Sequence, residues 1–549
     1  MKRNKLTALF LSAALTVTML AGCGQSKSTD NKVSTSQDTG SQTASTAADS
    51  ESAVSGEETE PASEGIVFPL EETQKFSMFA VIAGAEYALE DNVSFQKLCE
   101  DTNIQFDIQS VLNADKKEKK NLSLASGEYP DVFFKAGFSA TELSKYGNQG
   151  ILIPLQDLIR EYAPNLTKLL DERDAWKYLE DRNGNIYSLP EVDRQDPGIT
   201  VYWMNQKWMD NLGLSEPKSL DELYEVLKAF KEMDANGNGD PDDEIPITAN
   251  TTLSVNLLLP YFGINYDTGT KTALNEDGLF YVPTSDVYKD FLEFSARLYA
   301  EGILDKKAFT QGYEQQGAVG QSGDIYGSFW DSGAFLTVGR DNDDDYIALT
   351  PFTEGTYPIT SGISVGALCI TDACEHPELI VAWADQLYSE EGGILAWLGV
   401  EGETYRINDD GTWTWITDGS HGDNTSVVRA SSTLQGTNYH PSVQPQLWYT
   451  GMSAEVDAEE VYLNEQREKL NSISADPRPP MSYSDEDSKE RATLKTDLDN
   501  YISQYTAKVI TGELNLEDSW EEYIATMNQM GAERLEEIYQ NTYNKAMEK

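Results

Sequence analysis

The chain has 549 residues, with 92 Asp and Glu against 41 Lys and Arg, giving a formal net charge of −51. That length exceeds one ordinary core and suits two lobes, and the 39% of apolar and 10% of aromatic residues supply the material to fill them. So negative a surface repels nucleic acid and anionic membrane, which excludes DNA and RNA as partners. Against strongly anionic small ligands it argues only weakly, because a pocket can carry its own Arg.

The first residues speak to compartment. Lys2, Arg3 and Lys5 form a basic start, and Leu6 to Leu20 is apolar yet too short to span a bilayer comfortably. The run ends in Leu20-Ala21-Gly22-Cys23, which resembles a bacterial lipoprotein signal with its lipobox. The resemblance implies removal of residues 1–22 as a signal peptide. It also implies lipidation of the Cys23 thiol (diacylglyceryl, palmitate) and a place on the extracellular face of the cell membrane, held by the lipid alone. A plain secretory signal with an incidental Cys is the other reading. Residues 23–66 are rich in Ser, Thr and Glu and poor in large apolar groups, the composition of a disordered tether. Its r.m.s. reach is roughly 35–40 Å. Beyond Cys23 there are Cys99, Cys369 and Cys374, and the chain has three His and no Cys-x-x-Cys, so a zinc or redox centre is not expected. Cys369 and Cys374 are near enough in sequence to pair; free buried thiols are preferred here.

The folded part begins near residue 67. Phe76–Ile82 reads as a buried strand, Val93–Asp101 as a helix, Ile104–Val111 as a strand, Lys116–Ala125 as a helix and Asp131–Phe134 as a third strand. Strands alternating with helices predict βαβ units and a parallel sheet. The stretch from Trp203 to Pro246 is the most informative. Its aromatic opening could line a pocket. Ser219 with Glu222 three residues on predicts a capping box, and Leu220, Leu223, Tyr224, Leu227 and Phe230 fall on one helical face. The helix runs into a loop, Asp234 to Glu244, dense in hard oxygen donors.

In that loop Asp234, Asn236 and Asn238 alternate, and Gly237 and Gly239 permit the positive φ of a tight turn. Hard oxygens on a flexible loop suit Ca²⁺. The spacing resembles an EF-hand loop for six positions and then departs, with Ile245 where a bidentate Glu would stand and a strand-like Ile245–Thr248 after it. The expected structural calcium set is Asp234, Asn236, Asn238, the Asp240 carbonyl, Asp243 and Glu244. The alternative is an acidic surface turn without metal.

Several motifs in order resemble one family. Ala125-Ser-Gly-Glu-Tyr-Pro-Asp-Val-Phe133, Gly150–Ile159 with Tyr162-Ala-Pro-Asn165, and Asn183–Pro190 resemble segments of extracellular solute-binding proteins of the sugar-binding class (family 1). Trp208, Leu212-Gly-Leu214, Leu220-Asp-Glu-Leu223 and the loop resemble the lipoprotein branch that includes alginate-binding proteins. Gly399-Val-Glu-Gly-Glu-Thr-Tyr405, and Thr511-Gly512 with Trp520 and Tyr523, resemble its later segments.

The resemblance implies an α/β, two-lobed periplasmic-binding-protein-like fold of type II, with a hinge of multiple crossings. Residues 67–549 would form the solute-binding domain. Lobe 1 would hold about 67–195 and 358–396, and lobe 2 about 196–357 and 397–549. It implies a monomer that captures an oligosaccharide and delivers it to the permease subunits of an ABC importer.

Sugars stack their C–H faces on aromatic rings and bind planar polar side chains through paired hydroxyls. The expected ligand residues are therefore Trp203 and Asn205 beside a hinge strand, Trp330 and Asp331 at the end of an apolar strand, and Trp397, Glu401 and Tyr405 where the chain returns between lobes. Trp413 and Trp415 read as hairpin residues packed across strands. No Gly-x-Ser-x-Gly, His-Glu-x-x-His or Gly-rich loop ending in Gly-Lys-Ser/Thr occurs, and no enzyme is expected. Two alternatives stand: the same fold binding a peptide or other small solute, and a lipid-anchored glycosidase, which needs only two carboxylates.

Overall fold

The computed structural model describes residues 65–548 except 196–199, 277 and 437. The signal segment, Cys23 and nearly all of the tether lie outside the described residues.

The first lobe is built on a six-stranded sheet. Its order is Ser442–Val443, Leu189–Val192, Ile363–Ile370, Val132–Phe134, Gln74–Ile82 and Ile104–Leu112. Gln74–Ile82 runs parallel to both its neighbours, and Ile363–Ile370 runs antiparallel to both of its own. Successive side chains on a strand point to opposite faces, and here both faces are covered. Phe76, Met78 and Ala80 enter one core, Phe79 and Val81 the other. Val132 and Phe134 divide from Phe133 in the same way, as do Leu368 and Ile370 from Cys369. This is why these strands read as unbroken apolar runs. The helix Val93–Thr102 begins at Asn92, whose side chain accepts from the Phe95 N–H at 3.1 Å, and ends at Asn103 in the left-handed region. Cys99, Cys369 and Cys374 are unpaired.

The second lobe holds a three-stranded antiparallel sheet, ordered Ser328–Asp331, Val201–Asn205, Tyr346–Ala348. One face (Tyr202, Met204, Trp330) packs on the large helical core, and the other (Val201, Trp203, Phe329) on a smaller one. The helix Leu220–Glu232 buries Leu223, Tyr224, Leu227 and Phe230 in the large core. Half of its expected capping box forms. The Ser219 side chain accepts from the Glu222 N–H, but the Glu222 carboxylate reaches one residue further back, to the Lys218 N–H at 2.8 Å. Ile245–Thr248 is not a continuous strand; Ile245 and Ile247 make isolated bridges to Tyr326 and Leu304. Pro246 between them has no N–H to extend a ladder.

Among the described residues three segments cross between lobes. One joins Val192 to Val201, a second joins Ala348 to Ile363, and a third enters the helix Ala454–Asn471 after Ser453. The third contributes Leu463 and Leu470 to the smaller core of the second lobe. The second crossing pairs with the chain that follows this helix, with the Gly355 N–H on the Ile473 carbonyl (2.9 Å) and the Ala475 N–H on the Tyr357 carbonyl (3.0 Å). Residues 397–452 differ from the sequence expectation. Trp397, Tyr405, Trp413, Trp415, Trp448 and Met452 pack in the first lobe's core, not in the second lobe.

Candidate functional site: a cleft between the lobes

The helix Glu390–Leu398 carries Trp397 to the edge of the first core. Ser389 caps it by accepting from the Gly392 N–H, and Gly393 allows it to lie on the last strand, since a Cβ there would come within 2.6 Å of the Val443 carbonyl oxygen. The Trp397 ring meets Trp448 at 5.2 Å and His440 at 5.3 Å between centroids, and its Nε1–H donates to Ser442 Oγ at 3.2 Å. Trp448 is backed by Trp413, stacked at 5.6 Å. Arg429 lies over Trp448, 5.4 Å from the ring centre, and donates to Gln435 Oε1 at 2.7 Å; Gln435 Nε2 in turn donates to the Trp397 carbonyl.

Opposite stands the helix Ala454–Asn471. Its Asn464 and Arg467 complete a recess of about 210 Å³ with Arg194, Gln444, Tyr449 and the residues just described. Arg194 sits 4.9 Å from the Tyr449 ring centre and donates to Asn464 Oδ1 at 3.3 Å. The recess adjoins a wider space of about 540 Å³, which shares Arg194, Tyr449 and Asn464 and adds Met452, Glu465 and Glu468. Rings, amides and guanidinium forks on facing lobes form the kind of wall that grips a polyhydroxylated molecule.

Beneath the recess lies a buried polar group. Glu191 accepts from the His440 N–H at 3.0 Å and bonds its ring Nδ1. Lys135 donates to the Leu434 and Gln435 carbonyls. Burial lowers the Lys135 pKa to about 8, against the opposing pull of Glu191. His440 Nε2 is buried without a partner.

Trp330 lies in a different hollow, of about 140 Å³, walled by Tyr202, Tyr261, Tyr266 and Tyr357 and bordered by Thr200 and Pro358 of two crossings. It stacks on Tyr202 at 4.6 Å and 15°. Its Nε1–H and the Tyr266 hydroxyl have no hydrogen-bond partner.

The structure separates the other expected ligand residues. Trp203 is 1% exposed in the smaller core and donates to the Asp331 carbonyl at 3.0 Å. Asn205, fully buried, caps the helix Gln206–Leu212 by accepting from the Trp208 N–H. Asp331 is buried and accepts from the Tyr313 and Thr337 hydroxyls at 2.9 and 2.7 Å. Tyr405 is buried on the hairpin strand that pairs with Trp413–Trp415, and Glu401 beside it is exposed. Of the seven expected residues, Trp397 alone lines the recess between the lobes. Sequence reasoning missed Arg194, Arg429, Gln435, Gln444, Trp448, Tyr449, Asn464 and Arg467. The adjacent Trp448 and Tyr449 were the one available signal.

The acidic loop folds on itself. Gly237 and Gly239 take φ of +74° and +92°. Asn236 Oδ1 and Asn238 Oδ1 accept from the Asn238 and Asp240 N–H groups, and both side-chain amides donate to Asp243. Glu244, 3% exposed, accepts from the Ala235 N–H through Oε1. Burial raises its pKa. Asp234 Oδ1 and Glu244 Oε2 are buried without partners. Among the described residues no three His, Cys, Asp or Glu side chains converge as a metal-ligand set.

The sequence profile of the bacterial extracellular solute-binding proteins matches residues 79–394. The fructooligosaccharide ABC transporter substrate-binding protein FusA of Streptococcus pneumoniae is 31% identical over 343 residues, 59% of this chain and 63% of that protein. The polygalacturonan/rhamnogalacturonan-binding protein YtcQ of Bacillus subtilis is 27% identical over 325 residues, 57% of this chain and 63% of that one. The chain thus spans less than two thirds of the length of either relative. Among solved structures, an EF-hand mutant of S. pneumoniae FusA in complex with fructo-nystose aligns with a TM-score of 0.65 at 23% identity, over 86% of this chain and 100% of that one. That likeness agrees with a two-lobed fold of the periplasmic-binding type. The chain belongs to the family of bacterial extracellular solute-binding proteins.

Proposed function

We propose that this protein binds an oligosaccharide between its lobes, without converting it, and delivers it to the permease subunits of an ABC importer. The observation that carries this reading is the recess where Trp397, Trp448 and Tyr449 of one lobe face Asn464 and Arg467 of the other. A ligand touching both walls binds the closed arrangement better than the open one and biases the hinge toward it. The lobes in this reading comprise about 67–193 with 363–452, and about 200–349 with 461–548. Two relatives named for saccharide binding support it.

The same reading places the protein as a monomer on the extracellular face of the cell membrane, anchored through lipidated Cys23. Among the described residues no helix is long and apolar enough to cross a membrane. A calcium ion in the Asp234–Glu244 loop would give the two partnerless carboxylate oxygens a counter-charge. Asp234 and Glu244 would hold it, with Asn236, Asn238, Asp240 and Asp243 completing the shell, and its role would be to pin the loop.

The test is thermal melting of residues 66–549 against a panel of oligosaccharides, with mass spectrometry of the recovered sugar. A ligand at 100-fold over its dissociation constant stabilises by about 2.7 kcal/mol. A shift with one sugar class and an unchanged sugar supports the reading; a shift with peptides alone, or a cleaved sugar, refutes it.

A further inference from the structure

Lys135 combines two costs in one residue. It follows the strand Val132–Phe134 with a φ of +56°, in the left-handed region where a Cβ is crowded, and its side chain is buried. A glycine would relieve the first cost and a neutral side chain the second. Backbone strain of this kind persists where the surrounding structure over-determines it, and it gathers at ligand sites. Here the Lys135 N–H is pinned to the Ala367 carbonyl at 2.8 Å. The ammonium reaches the turn that follows the helix Thr425–Ser432 and donates to the Leu434 and Gln435 carbonyls.

That turn is a joint of the recess wall. The Leu434 N–H donates to the Ala396 carbonyl at 2.9 Å and the Gln435 amide to the Trp397 carbonyl, which ties the turn to the helix Glu390–Leu398. Gln435 Oε1 accepts from Arg429 at 2.7 Å, and Gln435, Arg429 and Trp397 all line the recess. A shift of the Leu434–Gln435 backbone therefore disturbs three wall residues at once. Lys135 stands behind them. Of the charged groups around it, Glu191 on the strand Leu189–Val192 favours its charged form and is bonded in turn to His440. Lys120 lies on the Gly137 carbonyl and pairs with Glu142, Lys116 donates to Asn438, and Arg429 is on the far side of Gln435.

We infer that Lys135 is a positioning residue of the ligand site: its ammonium holds the Leu434–Gln435 backbone so that Gln435, Arg429 and Trp397 meet the ligand in one arrangement, and the affinity of the site depends on that charge. This rests on the proposed function and adds regulation by pH to it. A neutral amine is a weaker donor than an ammonium. Burial brings the Lys135 pKa down from 10.5 to about 8. Affinity is therefore complete below that pH, where Lys135 is charged, and falls as pH rises through it. By linkage, a ligand that favours the charged form draws a proton onto Lys135 when it binds above that pH.

The experiment titrates the protein calorimetrically with nystose, maltotriose and trigalacturonate from about pH 6.5 to 9.5, a span that brackets the lysine titration. Lys135→Met is carried alongside, and amide hydrogen exchange of residues 434–436 is compared in the two ligand-free proteins. The oligosaccharide that binds is expected to do so evenly up to about pH 7.5 and about 2–10-fold more weakly at the alkaline end, the range of one lost hydrogen bond. At that end its binding heat is expected to vary with the ionisation enthalpy of the buffer, as proton uptake requires. Lys135→Met is expected to bind weakly with a level profile and to exchange faster at 434–436. A level profile in the unsubstituted protein, or the same slope in both proteins, places the titration elsewhere and overturns the inference while saccharide binding stands. If no saccharide binds, the proposed function falls and the exchange data decide on Lys135 alone: equal rates at 434–436 in both proteins remove its positioning role, and faster rates in the variant keep it.

Discussion

The Asp193 N–H donates to the Gly362 carbonyl at 2.8 Å, joining the first and second crossings where they leave the six-stranded sheet. Gly362 has a φ of +67°, and a Cβ there would stand 2.4 Å from the Asp193 carbonyl oxygen. Gly355, further along the same crossing, also has a positive φ (+75°) but nothing within 4 Å of a Cβ. Gly355→Ala is therefore expected to cost about 1 kcal/mol, the left-handed penalty alone. Gly362→Ala adds a backbone collision and is expected to cost about 3 kcal/mol or more. Urea unfolding of the two variants checks the contrast; equal losses would mean that the two crossings are not held so closely.

Tyr449 lies on the recess, half-buried, beneath Arg194. Tyr449→Ala removes a stacking face and leaves the Trp397–Trp448 pair standing. Ligand binding is expected to weaken by about 1 kcal/mol, several-fold in the dissociation constant. Trp203→Phe, inside the smaller core, is expected to alter stability and leave affinity within twofold. Calorimetry and melting of the two variants separate a wall residue from a core residue.

The loop makes a separate prediction. If Asp234 and Glu244 hold calcium, then calcium at 100-fold over its dissociation constant raises stability by about 2.7 kcal/mol. Magnesium, which prefers strict octahedral geometry and keeps its waters, is expected to raise it less. Asp234→Asn and Glu244→Gln should abolish the increment. Melting in calcium against chelator reads this; identical curves for the unsubstituted protein would remove calcium from the account.

Asp385 titrates at a structural joint. Its carboxylate accepts from the Asn165 and Leu166 N–H groups at the start of the helix Pro164–Glu172, yet burial outweighs these bonds and raises its pKa from 3.8 to about 6. A raised carboxylate pKa means that the folded state binds the proton more tightly. The stability it contributes is complete below pH about 4 and is lost as pH rises through about 6. The loss amounts to about 3 kcal/mol at most. Asp385→Asn lacks the titration, so the difference in unfolding free energy between the two proteins should change across pH 4–6 and stay level above pH 7. A constant difference throughout would contradict the shift.

The sequence disclosed the first lobe well because its strands are buried on both faces, and runs such as Phe76–Ile82 have no solvent-facing alternation to confuse them. The tight acidic turn at Asp234–Glu244 was legible because its residues are contiguous. The recess was not. Arg194 meets Asn464 across 270 positions, and no local pattern records that meeting. Trp203 and Trp330 show the same limit on a smaller scale. They lie on adjacent strands with all neighbouring residues buried, so nothing in the sequence tells which face each ring takes, and the pleat sends one into the small core and the other to a hollow. The lobe boundary at 397 failed for a similar reason. Trp413, Trp415 and Trp448 are ordinary aromatics in sequence, and their mutual packing on Trp397 decides which lobe owns them.

The most direct test of the central claim is the dissociation constant of the tightest-binding oligosaccharide, measured by calorimetry for the unsubstituted protein and for a double variant, Tyr449→Ala with Arg467→Gln. Clear binding is expected, weakening at least about tenfold in the double variant as a stacking face and a charged hydrogen-bond donor are lost together, while the ligand-free melting temperature is kept. Saccharide binding of equal strength in both proteins would place the ligand elsewhere and contradict the assignment of the cleft.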